Sequence, residues 1–197
     1  SNQSNWYDWG CAHCSEGNYA IIMNGPRGCS GPEYAQGWSF NVPTAEFYNS
    51  FEEGDSRRDA TVLDIEAFAA ATGSSYTEGY DHTGYFNNKY IPRAGESGGQ
   101  TELNYLTNFR IIRYSDVLLM AAEAYNRGGI DDGLAQEFLN QVRRRAFGND
   151  NYDISESGTA LTDAIWEERK FELSLEGHRF FDLVRTGRAS GLIPGFV

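Results

Sequence analysis

The protein has 197 residues, a size typical of one domain or of a substantial part of a larger one. Its 16 Lys and Arg residues against 28 Asp and Glu residues give a formal net charge of -12. This excess of negative charge argues against a nucleic acid or an anionic membrane surface as the partner. No apolar run approaches the roughly 18 residues that a membrane-spanning helix needs. Neither end carries a cap, a tail or a linker, so we expect the chain to be part of a longer protein.

The first half of the chain is predicted to be rich in loops. Residues 1 to about 43 contain Gly, Pro and aromatic residues without a sustained period. The sequence then predicts a short helix near 44–53 and a strand over 61–65. Residues 72–108 are again dominated by turn-forming residues. We therefore treat residues 1–108 as a loop-rich part whose loops are candidates for facing a ligand.

From residue 109 onward the apolar residues recur with a helical period. The apolar face of the first predicted helix comprises Tyr114, Val117, Leu118, Ala121, Ala122 and Tyr125. Ser115 is placed to cap this helix, Gly128 and Gly129 end it, and Asp131 or Asp132 can cap the next one. The apolar face of the second helix comprises Leu134, Ala135, Phe138, Leu139, Val142 and Ala146. Because the connection is so short, the two helices should form an antiparallel hairpin similar to a tetratricopeptide unit.

Two further helices are predicted, near 160–176 and near 179–186. The expected fold class is therefore mainly α, with tetratricopeptide-like helical hairpins and long loop-rich insertions. Residues 109–197 form the helical scaffold part of the same domain as residues 1–108.

Two carboxylates lie inside the apolar face of the third predicted helix. Winding that helix at 100° per residue places Glu168 and Glu172 among its apolar residues. An unpaired buried charge is costly, so these carboxylates need cationic partners. The candidate cations for a structural ion network are Arg113, His178 and Arg179, together with Arg110 and Arg185.

A catalytic pair is the alternative interpretation of the same two carboxylates. Side chains at i and i+4 approach each other, so Glu168 and Glu172 could serve glycoside hydrolysis. An adjacent arginine would hold both ionised, whereas a general acid needs a raised pKa. His178 could act as a base, but a satisfied core histidine is the simpler interpretation. No nucleophile motif or phosphate-binding glycine loop is recognisable. We therefore predict no catalytic residue and no cofactor.

Three cysteines and a histidine near the start form an incomplete metal-binding pattern. Cys11, His13, Cys14 and Cys29 supply four zinc ligands by count, but the second half of the pattern is a single Cys. A disulfide from Cys29 to Cys11 or Cys14 is the alternative. A redox role ranks below both, because no βαβ pattern surrounds the motif. Our prediction is that the chain holds no metal.

Aromatic side chains stand in two irregular polar stretches of the loop-rich part. Rings on loops suit the faces of sugars, whose C–H groups stack on them while Asn, Asp and Arg bind the hydroxyls. The candidate ligand-binding residues are Trp6, Tyr7, Trp9, Tyr80, His82 and Tyr85. The alternative for any single ring is that it covers the helices as local core.

Several segments together resemble a known family. The segments GWSFNVPT at 37–44 and GDSRRDAT at 54–61 are similar to the middle of its members. RYSDVLLMAAEA at 113–124 is similar to a helix of the family, and EERKFEL at 167–173 with EGHRFFDL at 176–183 to its most distinctive block. The family is that of the SusD/RagB outer-membrane glycan-binding lipoproteins.

This resemblance implies a tetratricopeptide-like scaffold whose loops present a glycan site. It also implies binding without cleavage, a surface-exposed lipoprotein of the cell outer membrane, and delivery of glycan to a TonB-dependent (SusC-like) transporter. The segments match only the later-middle to C-terminal portion of the family. A protein-interaction scaffold is the alternative function, and a glycoside hydrolase using Glu168 and Glu172 ranks below it.

Overall fold

The computed structural model of the protein describes residues 19–96, 105–193 and 195–196. The chain divides into two compact units. The loop-rich unit comprises Ser1–Phe51 and Arg58–Phe109, and the helical unit comprises Glu52–Arg57 and Arg110–Val197. Residues 52–57, which the sequence analysis assigned to the loop-rich part, are thus grouped with the helices. Helices make up most of the ordered structure, which confirms the predicted mainly α fold.

Short helices and strands form the loop-rich unit. In chain order they are α1 (Tyr19–Ile22), β1 (Arg27–Ser30), α2 (Ala45–Asn49), α3 (Arg57–Thr61), β2 (Val62–Asp64), α4 (Ile65–Thr72), β3 (Ser75–Thr77) and β4 (Tyr85–Asn87). The first residue of α3 belongs to the helical unit. The strands pair antiparallel, β1 with β3 and β2 with β4. The predicted strand over 61–65 is confirmed as β2. The predicted helix near 44–53 is confirmed as the shorter α2, capped by the side chain of Thr44, which accepts from the N–H of Phe47 at 3.1 Å.

Two apolar clusters stabilise this unit. The first consists of Cys29, Tyr34, Leu63, Ile65, Phe86 and Ile91. The second consists of Ile21, Ile22, Tyr90 and Tyr105, with Ala35 and Trp38 packed against it. Burial of such side chains contributes roughly 1.5–3 kcal/mol each. The clusters therefore give the surrounding loops a fixed base.

A pair of glycines lets two segments of the unit cross at close range. A Cβ atom added to Gly37 would lie 2.3 Å from the Cα atom of Gly25, where no side chain can fit. Backbone hydrogen bonds extend from the contact, and the N–H of Phe40 donates to the carbonyl of Met23 at 2.8 Å. We call residues 37–41 the crossing segment. At the crossing itself, its path is fixed by contacts between the two backbones.

The helical unit contains the predicted hairpin. Its helices are α5 (Tyr114–Arg127), α6 (Asp132–Phe147), α7 (Gly158–Glu172), α8 (Arg179–Arg185) and α9 (Ala189–Leu192). Asp131 caps α6 by accepting from the N–H of Leu134 at 3.0 Å, and Gly148 ends it with a φ of 73°. The shared core consists of Leu118, Leu119, Ala122, Ala135, Leu139, Val142, Leu161 and Ile165, from α5, α6 and α7. No helix in the described ranges is long and apolar enough to cross a bilayer.

The buried face of α5 differs from the predicted one. Tyr114 and Val117, which we expected in the core, are exposed. Asp116 and Glu123 are buried instead, because arginine side chains bind them. Ser115 makes no capping hydrogen bond, and its hydroxyl accepts from a guanidinium group. The prediction was wrong here because hydrophobicity alone does not detect a charge that is buried with its partner.

Replacing Gly37 with Ala should destabilise the protein strongly. The added methyl group would meet backbone, which cannot move aside as a flexible side chain would. We expect a loss at or above the ~1–3 kcal/mol that overpacking costs. Gly191→Ala is the matched control, because that position in α9 has open space around it and an ordinary helical conformation. Thermal unfolding followed by circular dichroism compares the two variants. Equal midpoints would contradict the tight crossing.

Candidate functional site

The carboxylate of Glu168 is enclosed by arginine side chains. It is 1% exposed and binds Nη1 of Arg57 and, at 2.8 Å, Nη1 of Arg143. Arg57 also binds Asp55, and Arg143 binds Glu52 at 3.0 Å. Each cation therefore binds more than one carboxylate. Glu52, Asp55 and Arg57 all lie in the segment 52–57. Ion pairs therefore hold this segment against α6 and α7.

Glu172 lies one turn further along α7 and has arginine partners of its own. It is 2% exposed, and its Oε1 accepts from Nη1 of Arg113 at 2.7 Å while its Oε2 binds Nη2 of Arg145. Arg113 also binds Glu176, with two nitrogen–oxygen distances of 2.8 Å. Nη1 of Arg57 lies 3.3 Å from Oε2 of Glu172 and thereby links the two carboxylates of α7.

A second set of ion pairs joins α5, α7 and α8. Arg169 binds Asp116 at 2.8 Å and Asp182 at 2.9 Å, and all three side chains are buried. Arg185 binds Asp182 at 2.8 Å and Glu123 at 2.6 Å. These pairs supply the partners that Asp116 and Glu123 require on the buried face of α5.

The arginine partners keep these carboxylates ionised. Burial raises the pKa of Glu172, but the charge of Arg145 and the hydrogen bond from Arg113 outweigh it and hold the pKa at about 2. In the same way burial raises the pKa of Glu123, and the hydrogen bonds from Arg185 bring it to about 2. A general acid needs a raised pKa and access to substrate. The geometry around Glu172 is that of a structural contact between helices.

The cations differ in part from those expected. Arg113 contacts Glu172, but Arg179 has Glu167, Arg188 and Asp182 as its charged neighbours. Burial lowers the pKa of Arg179. His178 is the half-buried N-cap residue of α8, and its side chain makes no capping hydrogen bond. The ion pairs found for Glu168 and Glu172 in the described ranges therefore do not include His178 or Arg179.

Sequence reasoning missed Arg57, Arg143 and Arg145. For Arg143 and Arg145, the run of three arginines at 143–145 near the end of α6 was the sequence feature that could have indicated them. Arg57 gave no such signal, because its segment has the composition of a loop.

The predicted aromatic residues that the structure describes have different environments. Tyr80 is 91% exposed. Tyr85 is half-buried and stacks on Tyr48, with ring centroids 4.5 Å apart. His82 lies 5.7 Å from Tyr76 and 6.0 Å from Phe86 between ring centroids, and its two nitrogens are enclosed without a hydrogen-bond partner among the described residues. Of the three, Tyr80 has the ring that a ligand could stack on, whereas His82 supports the loop.

The remaining candidates lie at the start of the chain. Trp6, Tyr7 and Trp9, as well as Cys11, His13 and Cys14, are outside the described residues. Cys29 is buried, its Sγ lies 3.8 Å from the carbonyl oxygen of Tyr34, and burial raises the pKa of its thiol. The ranges 19–96, 105–193 and 195–196 contain no group of three or more His, Cys, Asp or Glu residues able to hold a metal ion. The choice between zinc and a disulfide for Cys29 stays a prediction.

A second exposed ring lies on the crossing segment, which the sequence analysis did not single out. Phe40 is 52% exposed, and the guanidinium carbon of Arg27 lies 6.0 Å from the centre of its ring. A Cβ atom added to Gly79 would lie 3.1 Å from the Cβ atom of Ser39. Tyr80 and Phe40 are therefore each one residue away from the same contact. We call Arg27, Ser39, Phe40, Gly79 and Tyr80 the aromatic surface.

The sequence profile of the SusD family matches residues 2–192 of this chain. The chain belongs to the SusD family. Among reviewed relatives, SusD-like protein P2 of Formosa agariphila is 33% identical over 184 residues, which cover 85% of this chain and 35% of that protein.

Two solved structures of SusD relatives are also similar. Surface glycan-binding protein A from Bacteroides thetaiotaomicron, in complex with laminarihexaose, is 34% identical with a TM-score of 0.79, over 93% of this chain and 40% of that one. A laminarin binding SusD-like protein is 42% identical with a TM-score of 0.77, over 95% of this chain and 40% of that one. The chain thus spans 35% to 40% of the length of these SusD relatives.

Replacing Glu172 with Gln should destabilise the helical unit by about 3–5 kcal/mol, because several guanidinium groups lose the charge that compensates their burial. Glu167→Gln is the matched control, since that side chain on the same helix is half exposed and its salt bridge is to Lys170 on the surface. Urea unfolding followed by circular dichroism at pH 7 measures the difference. Equal losses in the two variants would contradict the structural role.

The same variant should change the response to acid. The pKa of Glu172 is lowered from its ordinary 4.5 to about 2 by folding. Its contribution is therefore fully present above pH 4.5 and is lost as the pH falls through about 2. The stability of the unaltered protein should fall over this interval more steeply than that of Glu172→Gln.

Proposed function

We propose that this chain is the part of a surface glycan-binding protein that contributes a ring-lined carbohydrate surface. The observation that carries the proposal is Tyr80, a tyrosine left 91% exposed on a loop of a SusD-family chain. Binding residues are concentrated on loops that a rigid scaffold positions, and an aromatic ring on such a loop offers a face on which a sugar can stack. The apolar clusters of the loop-rich unit supply that base.

Laminarin oligosaccharides are the first ligands to consider. One similar structure is described as bound to laminarihexaose and another as laminarin binding, at 34% and 42% identity. The net charge of -12 suits a neutral ligand, which the protein does not repel. The proposed role is capture without cleavage, because Glu168 and Glu172 are buried and bound to arginine.

Tyr80→Ala should weaken binding of laminarihexaose by about tenfold, a typical loss for an aromatic residue that anchors a ligand. Isothermal titration calorimetry with the purified protein measures the affinity. Tyr114→Ala is the matched control, because that tyrosine on α5 is also largely exposed and belongs to the other unit. The affinity of Tyr114→Ala for laminarihexaose should equal that of the unaltered protein.

The outcomes separate the site from the function. Binding that survives Tyr80→Ala would remove this tyrosine from the site. Failure of the unaltered protein to bind laminarihexaose and a panel of other neutral oligosaccharides would contradict glycan binding by this chain.

Delivery to a TonB-dependent outer-membrane transporter, from a lipoprotein at the cell surface, is part of the proposal. It is supported by the match to the SusD family, because the resemblance to that family implies such a transporter as the partner. A pure protein-interaction scaffold is the second candidate, and the exposed apolar residues Tyr114, Val117 and Met120 on α5 favour it. Co-purification of the protein with a transporter, with and without glycan, tests both. A stable complex in a protein without any glycan affinity would support the scaffold.

A further inference from the structure

Phe40 is exposed on the crossing segment between two residues with unusual backbone dihedral angles. Ser39 has a φ of 59° and Asn41 a φ of 53°, a region that residues other than glycine seldom adopt. Side-chain hydrogen bonds fix both, since the Ser39 hydroxyl accepts from the N–H of Arg27 at 3.0 Å and the Asn41 amide donates to Asn24 at 3.1 Å. Strain of this kind persists only where the surroundings impose it, and it is concentrated at functional sites.

Arg27 is positioned beside the exposed ring but keeps donors available. Its Nε donates to the carbonyl of Trp38 at 3.0 Å, which fixes the direction of the side chain. Its guanidinium carbon lies 6.0 Å from the centre of the Phe40 ring. Within the described ranges no acidic group pairs with it, in contrast to Arg57 or Arg143. Its terminal nitrogens can therefore donate to a ligand that lies on the ring.

Tyr80 lies on a second turn, which contacts the crossing segment through Gly79. A Cβ atom on Gly79 would lie 3.1 Å from the Cβ atom of Ser39 and 3.7 Å from the Cδ atom of Arg27. Asp81, immediately after Tyr80, has a φ of 53°. Each exposed ring is thus adjacent to a residue with positive φ, and the two turns are in contact. Such pre-organisation reduces the entropy lost on binding.

The charges around the aromatic surface favour a neutral sugar. Arg27 contributes one positive charge, whereas Glu78 and Asp81 flank Gly79 and Tyr80 with two negative charges. A uronic acid or a sulfated sugar would meet net repulsion here, in a chain that is already acidic. A neutral hexose would stack its C–H face on a ring and accept a hydrogen bond from Arg27 through a hydroxyl group.

We propose that Phe40, Arg27 and Tyr80 form one pre-formed subsite that binds neutral hexose residues and excludes anionic ones. This subsite rests on the proposed glycan binding. It adds Phe40 and Arg27 as contact residues and a selectivity for neutral over anionic sugars. Phe40 and Tyr80 supply the stacking faces, and Arg27 donates to a hydroxyl group between them.

Calorimetry tests the subsite with laminarihexaose and with a hexameric oligosaccharide of uronic acids. Phe40→Ala and Arg27→Gln should each weaken laminarihexaose binding by about tenfold, whereas Phe40→Tyr should retain it. Phe181→Ala is the matched control, since that ring on α8 is 68% exposed and lies in the other unit. Thermal midpoints check that each variant is folded. The uronic acid oligosaccharide should not bind at the concentrations that saturate the neutral one.

The results distinguish the subsite from the broader function. In one outcome the unaltered protein binds laminarihexaose, Tyr80→Ala binds it more weakly, and Phe40→Ala and Arg27→Gln bind it with the affinity of Phe181→Ala. This outcome would overturn the subsite but leave glycan binding by the chain intact. Equal affinity for the uronic acid oligosaccharide overturns the selectivity. Absence of binding to laminarihexaose and to every other neutral oligosaccharide overturns both proposals together.

Discussion

Arg57 binds two buried carboxylates of one helix, and the packing of the helical unit depends on that contact. Glu168 and Glu172 lie on the face of α7 that also provides Leu161 and Ile165 to the core. Without the guanidinium groups this face would bury two unpaired carboxylates, which is strongly unfavourable unless both take up a proton. The ion pairs are therefore a condition for the core and not an addition to it.

The same network restricts how the helices can pack. Apolar side chains tolerate small shifts along a helix, whereas a carboxylate held by two donors at hydrogen-bond distance does not. If α7 moved by one turn, Glu168 would lose Arg143 and Glu172 would lose Arg113. We infer that these charges select one register of α7 against α5 and α6, at some cost in stability.

The sequence predicted much of the helical unit and less of the aromatic surface, for a physical reason. Helix ends are local features, so the cap at Asp131 and the stop at Gly148 could be read directly. The partners of Glu168 come from positions 57 and 143, and the contact between Ser39 and Gly79 joins distant segments. Such pairings have no periodic signature. Phe40 was overlooked because an exposed phenylalanine and a buried one have the same sequence signal.

The crossing of Gly25 and Gly37 also has a consequence for altering ligand preference. Positions at the crossing itself cannot be changed, because the backbone contacts leave no space for a side chain, whereas exposed positions beside it can. The side chains of Phe40 and Tyr80 are exposed and are not among the atoms in contact at the crossing, so they can be randomised together in a combinatorial library. Under the proposed function, the crossing would then serve as an invariant frame for a library at its rim from which binders of other sugars are selected.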